Sequence, residues 1–167
     1  DEPGKDMVPL FDTILDYIPA PEGDPDAGTQ LLVSTIDYNE YVGRIGVGKV
    51  DNGVISEGQE VVIVNHHEPE KQKRVKVSKL YEFDGLSKVP VKSSSMGSIV
   101  AISGITDIHI GDTLCSPENP KPIPFQKISE PTIAMHFIVN DSPFAGQEGK
   151  FVTSRHLRDR LFRELNT

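Results

Sequence analysis

The chain has 167 residues, a formal net charge of −8 at pH 7 and one cysteine. A single cysteine excludes a disulfide within the chain, which fits the reducing cytoplasm, and there is no apolar run of about 18 residues that would span a membrane. The sequence opens Asp1-Glu2-Pro3-Gly4, without a methionine or a signal peptide, so we expect a segment of a longer protein.

The first predicted element is a helix over residues 7–18. Leu10, Ile14 and Ile18 recur at helical spacing, and Pro9 suits the first turn of a helix. Prolines at 19 and 21 end it, and residues 21–28 have the composition of a linker. The apolar stripe predicts packing, either on a domain outside this sequence or on the domain that follows.

Short β-strands are predicted next, at residues 29–37, 43–50, 54–64, 74–83 and 98–103 and near Thr113-Leu114. Asn52-Gly53 between two β-rich runs predicts a tight hairpin, because a type I′ turn requires positive φ. Gly46 and Gly48 leave one side of their strand bare, as expected where a strand bends or another backbone comes close. These features predict a mainly β protein, built around a small closed antiparallel β-barrel.

The segments between the strands carry their own signals. Residues 65–72 and 88–97 are polar and predict loops. Ile55-x-x-Gly58-Gln59 has the same spacing as Ile108-x-x-Gly111-Asp112, which predicts one kind of turn used twice.

The pattern changes after the proline-rich residues 117–127. Alternating apolar residues over 132–139 predict one strand, and Thr153 or Ser154 is expected to cap a helix that runs to Leu165. One strand and one helix cannot enclose a core, so residues 128–167 predict an incomplete α+β domain.

Catalytic and metal-binding motifs are not found. The phosphate-binding motif G-x-x-x-x-G-K-[ST] does not occur: Gly43 to Lys49 is glycine-rich but belongs to a strand pattern, and Val50 follows the lysine. His66 and His67 are adjacent and would point to opposite faces of a strand, the other three histidines are scattered, and Cys115 has no partner cysteine. This disfavours a metal site and a nucleophilic thiol. We therefore expect no catalytic residue and no metal.

Local charge is more informative than the total. Residues 1–26 contain eight carboxylates against Lys5 alone, whereas residues 71–92 have a net charge of +5. Nucleic-acid binding depends on local patches of charge. The predicted RNA-binding residues are Lys71, Lys73, Arg74, Lys76, Lys79, Lys150, Arg155 and Arg158. The alternatives are a solvated strand face for the first five and pairing with Asp159 within a helix for the last group.

Residues 41–61 read Y-x-G-R-I-x-x-G-x-V-x-x-G-x-I-x-x-G-Q-x-V, which resembles the β-barrel second domain of translational GTPases. Residues 10–21 (LFDTILDYIPAP), 104–115 (GITDIHIGDTLC) and 140–161 (NDSPFAGQEGKFVTSRHLRDRL) extend the resemblance over nearly the whole chain. The chain is most similar to the TypA/BipA family of ribosome-associated GTPases.

The resemblance implies a domain plan. Residues 1–22 would be the end of a GTP-binding domain, and residues 23–116 would form the barrel. Residues 117–127 would be a proline-rich linker to residues 128–167, the start of a ferredoxin-like α+β third domain. GTP and magnesium would belong to the missing domain, so this segment would need no cofactor and hydrolyse nothing.

The resemblance also implies partners: the ribosome through small-subunit rRNA, and tRNA. Translation regulation, ribosome assembly and stress response are the implied processes. Ser142, Phe144 and Gly146 would lie on a loop that faces the GTP-binding domain or the ribosome. The alternative is a structural spacer without RNA affinity of its own.

Two predicted apolar faces lack a cover within this sequence, one on the helix at 7–18 and one on residues 130–165. Exposed apolar surface of this kind drives association. We therefore expect the chain to associate with a second copy.

Because the phosphate-binding motif is absent, the chain should not bind GTP. Titration with a fluorescent GTP analogue should give no saturable signal, with a protein that contains a phosphate-binding loop as the positive control. A micromolar dissociation constant would contradict this expectation.

Overall fold

The structure is a computed structural model that describes residues 6–147 and 149–166. Residues 1–5, Glu148 and Thr167, which belong to the predicted segments 1–22 and 128–167, lie outside the described residues. The elements in chain order are α1 (Val8–Tyr17), β1 (Gln30–Asn39), β2 (Gly43–Asn52), β3 (Val54–Ser56), β4 (Glu60–Asn65), β5 (Glu68–Lys76), β6 (Lys79–Asp84), β7 (Ser87–Pro90), β8 (Ser93–Ser95), β9 (Ile99–Ser103), β10 (Asp112–Cys115) and α2 (Ser154–Glu164).

Eight strands form one antiparallel sheet in the order β5-β4-β10-β1-β2-β9-β6-β7, and β3 pairs with β8 in a second, two-stranded sheet. The predicted closed barrel is wrong, because within the described residues no ladder joins β5 to β6 or β7. Val77 and Ser78 cross the gap instead. Val77 exchanges backbone hydrogen bonds with the Gly58-Gln59 turn, and the Ser78 N–H donates to the Ser103 carbonyl at 3.0 Å. The crossing backbone is thereby satisfied without a ladder.

The sheet curls around one hydrophobic core. Val77, in the crossing segment, is completely buried, and burying a side chain of this size contributes about 1.5–3 kcal/mol. The core residues are Leu31, Val33, Val50, Ile55, Val61, Ile63, Val77, Leu80, Val100, Ile102, Ile105, Ile108 and Leu114.

Asn52-Gly53 does not form the predicted hairpin. β2 pairs with β1 and β9, whereas β3 pairs with β8. Gly53 has φ +66°, and a Cβ at this position would lie 2.4 Å from the Ala27 carbonyl oxygen. The left-handed residue turns the chain out of the main sheet, and residues 24–28 pack against it.

The predicted close approach at the strand glycines is confirmed. A Cβ on Gly48 would lie 2.0 Å from the Leu32 carbonyl oxygen, and one on Gly46 would lie 2.5 Å from Ile108 Cδ1. The register of β1 on β2 shifts between Val33 and Thr35, so the strands come together where β1 bulges.

The prediction of one turn used twice is also confirmed. The Gln59 N–H donates to the Ser56 carbonyl at 3.2 Å, and the Asp112 N–H donates to the His109 carbonyl at 3.2 Å. In both turns the third residue is a glycine with positive φ. The side chains of Gln59 and Asp112 each accept the first residue's N–H, at 2.8 and 2.9 Å. A third turn, Ser95 to Ser98, has the same backbone hydrogen bond and Gly97 at φ +90°.

The loops predicted at 65–72 and 88–97 are wrong, because β5, β7 and β8 occupy most of these residues. Most of β5 is exposed on both faces, so it lacks the alternation of apolar and polar residues that marks a half-buried strand. β7 and β8 contain only four and three residues, too few to show a period.

Both predicted helices are present. All of α1 is exposed, which contradicts the alternative that it packs on the sheet. The Thr153 hydroxyl caps α2 by accepting the His156 N–H at 3.3 Å. The strand expected at 132–139 is not formed, since residues 117–147 and 149–152 contain no paired strand, and a strand needs a partner for its backbone groups. No helix in the described part of the chain is long and apolar enough to cross a membrane.

Replacing Gly53 with alanine should destabilise the fold more than the same change at Gly85. Both glycines have positive φ, but a Cβ at Gly85 would meet nothing within 4 Å. We expect a loss of about 1 kcal/mol at Gly85 from backbone strain alone. At Gly53 we expect about 2 kcal/mol or more in addition, from the clash with the backbone. Urea unfolding followed by circular dichroism measures both, and equal losses would contradict the packing described here.

Candidate functional site

Four of the five residues in the first predicted basic cluster lie on an edge strand of the sheet. Lys71, Lys73, Arg74 and Lys76 are on β5, which pairs on one side with β4, and Lys79 begins β6. We call these five residues the β5 basic strip. All five are exposed, whereas Val75 is half-buried and Val77 buried. These two valines hold the end of β5 and the crossing segment on the core, and the charged side chains are left in solvent.

Four of the five cations are paired with carboxylates. The distances are 2.9 Å for Lys71–Glu68, 2.5 Å for Lys73–Asp107, 3.7 Å for Arg74–Glu60 and 2.7 Å for Lys79–Glu57. Lys76 makes no ion pair within the described residues. The strip therefore carries less free positive charge than its sequence indicates.

These pairs are weak enough to be exchanged. Exposed ion pairs contribute roughly 0.2–1 kcal/mol each, so a phosphate can replace a carboxylate at small cost. The hydrogen bond from Lys73, followed by the charge of its ammonium, lowers the pKa of Asp107. The hydrogen bond and charge of Glu57 raise the pKa of Lys79.

A shallow groove adjoins the middle of the strip. It has a volume of about 400 Å³ and is lined by Gly58, Glu60, Arg74, Val75 and Lys76. Arg74 and Lys76 are the cations in this groove, and Glu60 opposes them. An anion that entered would have to displace the Arg74–Glu60 pair, which at 3.7 Å is not a close contact.

The second basic cluster is near the start of α2. Arg155 lies 3.9 Å from Asp159, so the intrahelical pair that was the alternative prediction is formed there. Arg158 instead lies over the Phe162 ring, 5.5 Å from its centroid. Lys150 is exposed in the segment before the helix.

The predicted loop with an exposed aromatic residue is present. The Ala145 N–H donates to the Ser142 carbonyl at 2.9 Å, and Gly146 has φ +84°. Phe144 is 73% exposed. Its ring is therefore available for contact.

α2 contacts the sheet through its C-terminal end, whereas the second cluster is near its N-terminal end. Arg44 donates to the Leu165 carbonyl at 3.1 Å and to the Ile108 carbonyl at 3.4 Å. Arg163 lies 3.7 Å from Glu40. Arg44 was not among the predicted site residues; an arginine within a glycine-rich strand was the available signal.

A second feature that the sequence did not indicate joins the two segments that flank the sheet. Asn52 Oδ1 accepts the Asp24 N–H at 2.8 Å, and Asn52 Nδ2 donates to Gln30 Oε1 at 2.6 Å. Gln30 Nε2 then donates to the Lys121 carbonyl at 2.8 Å. The predicted linker at 117–127 is therefore docked on the sheet where it begins.

Cys115 lies beside this junction and is buried. Burial raises the pKa of its thiol, and its Sγ lies 3.1 Å from the Lys121 carbonyl oxygen. A thiol held in its neutral form is a poor nucleophile. Among the residues that the structure describes, no three histidine, cysteine, aspartate or glutamate side chains are grouped to hold a metal.

Comparison with known proteins identifies relatives over the whole chain. Residues 43–115 match the family model of elongation factor Tu domain 2. The large ribosomal subunit assembly factor BipA of Synechocystis is 50% identical over all 167 residues. The BipA proteins of Salmonella typhimurium and Bacillus subtilis are 42% and 41% identical over 96% and 98% of this chain. The chain spans 28%, 26% and 26% of the length of these three relatives.

The Lys73–Asp107 pair gives a pH-dependent prediction. The pKa of Asp107 lies below its ordinary value of 3.8 in the folded state. The pair therefore stabilises the fold at pH values above 3.8. The contribution is lost as pH falls through the lowered value. NMR titration should show the Asp107 pKa returning toward 3.8 in Lys73→Ala. It should stay lowered in Lys71→Ala, whose partner is Glu68. An Asp107 pKa that did not change in Lys73→Ala would contradict the proposed ion pair between the two residues.

Proposed function

Since this chain belongs to the BipA family over the part that it spans, we propose that it is a non-catalytic docking segment of a translational GTPase. It contacts the ribosome through rRNA of the small subunit. GTP and magnesium are bound elsewhere in the whole protein. The domain plan follows: α1 ends a GTP-binding domain, the sheet is the second domain, and residues 128–167 begin the third.

The observation that carries this proposal is the β5 basic strip. The edge strand β5 carries four exposed cations, Lys79 at the start of β6 is the fifth, and the pairs of this strip are surface contacts that exchange with phosphate at little cost. Lys76, which has no carboxylate partner within the described residues, makes the first contact. Arg74 then exchanges Glu60 for a phosphate, which a guanidinium can bind through two parallel hydrogen bonds.

The second cluster adds contacts farther along the chain. Lys150, Arg155 and Arg158 flank the start of α2, where helix N–H groups and the helix dipole favour phosphate. The loop with Ser142, Phe144 and Gly146 faces the GTP-binding domain or the ribosome. We propose the acceptor end of tRNA as a further partner.

The relatives are named for assembly of the large ribosomal subunit, so the choice of subunit is part of the proposal. We favour small-subunit rRNA because the β5 basic strip lies in the second domain, and the resemblance to translational GTPases implies that this domain contacts the small subunit. Binding must therefore be measured to each purified subunit separately.

The second candidate function is that of a structural spacer. Its support is that four cations of the strip are already paired and that Asn52, Gln30 and Lys121 tie both flanking segments to one end of the sheet. A spacer would hold neighbouring domains at a fixed distance without RNA affinity of its own.

A salt series on purified subunits separates the two functions. The variant Lys73→Ala, Arg74→Ala, Lys76→Ala should bind small subunits more weakly. The slope of log K against log salt should flatten by about 0.9 or less for each phosphate that the variant no longer neutralises. The control Lys92→Ala, Lys121→Ala, Lys127→Ala removes the same charge outside the strip and should keep affinity and slope. Equal behaviour of the two variants would favour the spacer.

A further inference from the structure

One face of β4 and β10 points away from the core and is still buried. Ile63 and Leu114 are paired with each other and belong to the core. Successive side chains of a strand point to opposite faces, so Val62, Val64 and Cys115 lie on the outer face of the sheet. Each of the three is nevertheless at most 4% exposed. The outer face is therefore covered, and the cover is the chain that follows β10.

The covering chain is residues 117–125, which we call the proline strap. Four of its nine residues are prolines, which restrict the backbone and cannot pair as a central strand. The Ile123 N–H donates to Thr113 Oγ1 at 3.0 Å. Farther along, the Phe125 ring lies against Gly111, where a Cβ would come within 1.9 Å of the ring atom Cζ. The strap is thus held on the sheet at several points along its length.

One carbonyl connects the proline strap to the segment before β1. The Lys121 carbonyl accepts hydrogen bonds from Cys115 Sγ at 3.1 Å and from Gln30 Nε2 at 2.8 Å. Gln30 Oε1 accepts from Asn52 Nδ2 at 2.6 Å, and Asn52 Oδ1 accepts the Asp24 N–H at 2.8 Å. Each amide uses its nitrogen as a donor and its oxygen as an acceptor, which fixes the orientation of both. The two amides therefore form an unbroken chain of hydrogen bonds between the segments.

A change at one end of this chain of hydrogen bonds affects the other end. A partly buried amide needs its hydrogen bonds, because a donor or acceptor left without a partner is costly. When Asp24 moves away, the Asn52 amide is free to turn toward solvent, and its Nδ2 leaves Gln30. The Gln30 amide is then no longer held in the orientation that points its nitrogen at the Lys121 carbonyl.

We propose that Asn52 and Gln30 couple the segment before β1 to the proline strap, so that displacement of the first loosens the second. Asn52 acts through Gln30, since the hydrogen bonds of its amide go to Asp24 and Gln30. In the domain plan of the proposed function, on which this role rests, the two segments lead to the GTP-binding domain and to the third domain. The amide pair then transmits a movement of one domain to the other.

Cys115 reports the position of the strap, because it is the only cysteine and its Sγ lies 3.1 Å from the Lys121 carbonyl oxygen. A nitrobenzoate disulfide reagent reaches this thiol only when the strap lifts or the whole fold opens. Urea separates the two routes. Local opening exposes little surface and changes little at low urea, whereas labelling through global unfolding rises steeply. The urea-independent labelling rate of the 167-residue chain therefore measures the lifting of the strap.

Two shape-matched substitutions test the coupling. Gln30→Met removes the amide that binds the strap, and it should raise the urea-independent rate about twofold to tenfold, the effect of one lost hydrogen bond. Asn52→Leu should raise this rate by a similar factor. The double variant should be no faster than Gln30→Met alone, because Asn52 acts through Gln30. The control Asn39→Leu makes the same substitution at a side chain that accepts the Tyr41 N–H in the turn between β1 and β2, and it should leave the rate unchanged.

An Asn52→Leu chain with the urea-independent rate of the unchanged chain would overturn the coupling, whatever the rate of Gln30→Met. Labelling that depends steeply on urea from the lowest concentration in every variant would also overturn it, since the strap would then open only with the whole fold. Additive effects in the double variant would contradict a connection through Gln30. No ribosome is present in this experiment, so its failure is distinguishable from a failure of RNA binding in the salt series.

Discussion

Three buried valine carbonyls limit how this sheet can be built. Val33, Val50 and Val77 are fully buried, and a buried carbonyl without a hydrogen bond is costly. Each accepts an N–H at 2.8 Å from the glycine of one of the three matched turns: Gly111, Gly97 and Gly58 respectively. Glycine at the third position gives the positive φ at which the N–H points inward. The turns are therefore part of the hydrogen bonding of the core.

The elements that sequence predicted well are those fixed by local chemistry. The proline start of α1, the Thr153 cap of α2 and the repeated glycine turns depend on residues a few positions apart. The closed barrel and the Asn52-Gly53 hairpin were wrong because both depend on which strands pair. Positive φ at Gly53 was readable from the sequence, whereas the pairing of β3 with β8, about 40 residues later, was not.

In the candidate site, too, local features were predicted and long-range contacts were not. The basic residues of the strip are evident in the sequence, and their exposure follows from an edge strand. The carboxylates opposite them are distant in sequence, as with Asp107 beside Lys73 and Glu57 beside Lys79. Arg44 shows most clearly that local sequence patterns do not predict long-range contacts, because its partner Leu165 is 121 residues away. No local pattern contains such a contact.

The open sheet has a consequence for solubility. An edge strand with free backbone groups invites strands from other molecules to add to it, which is the first step of fibril growth. β5 contains Pro69 and several lysines, and β7 ends at Pro90. Each proline lacks the N–H that an added strand would require, and the lysines repel a second copy of the same edge. The open sheet therefore has two edge strands, β5 and β7, and both are poor templates for the addition of further strands.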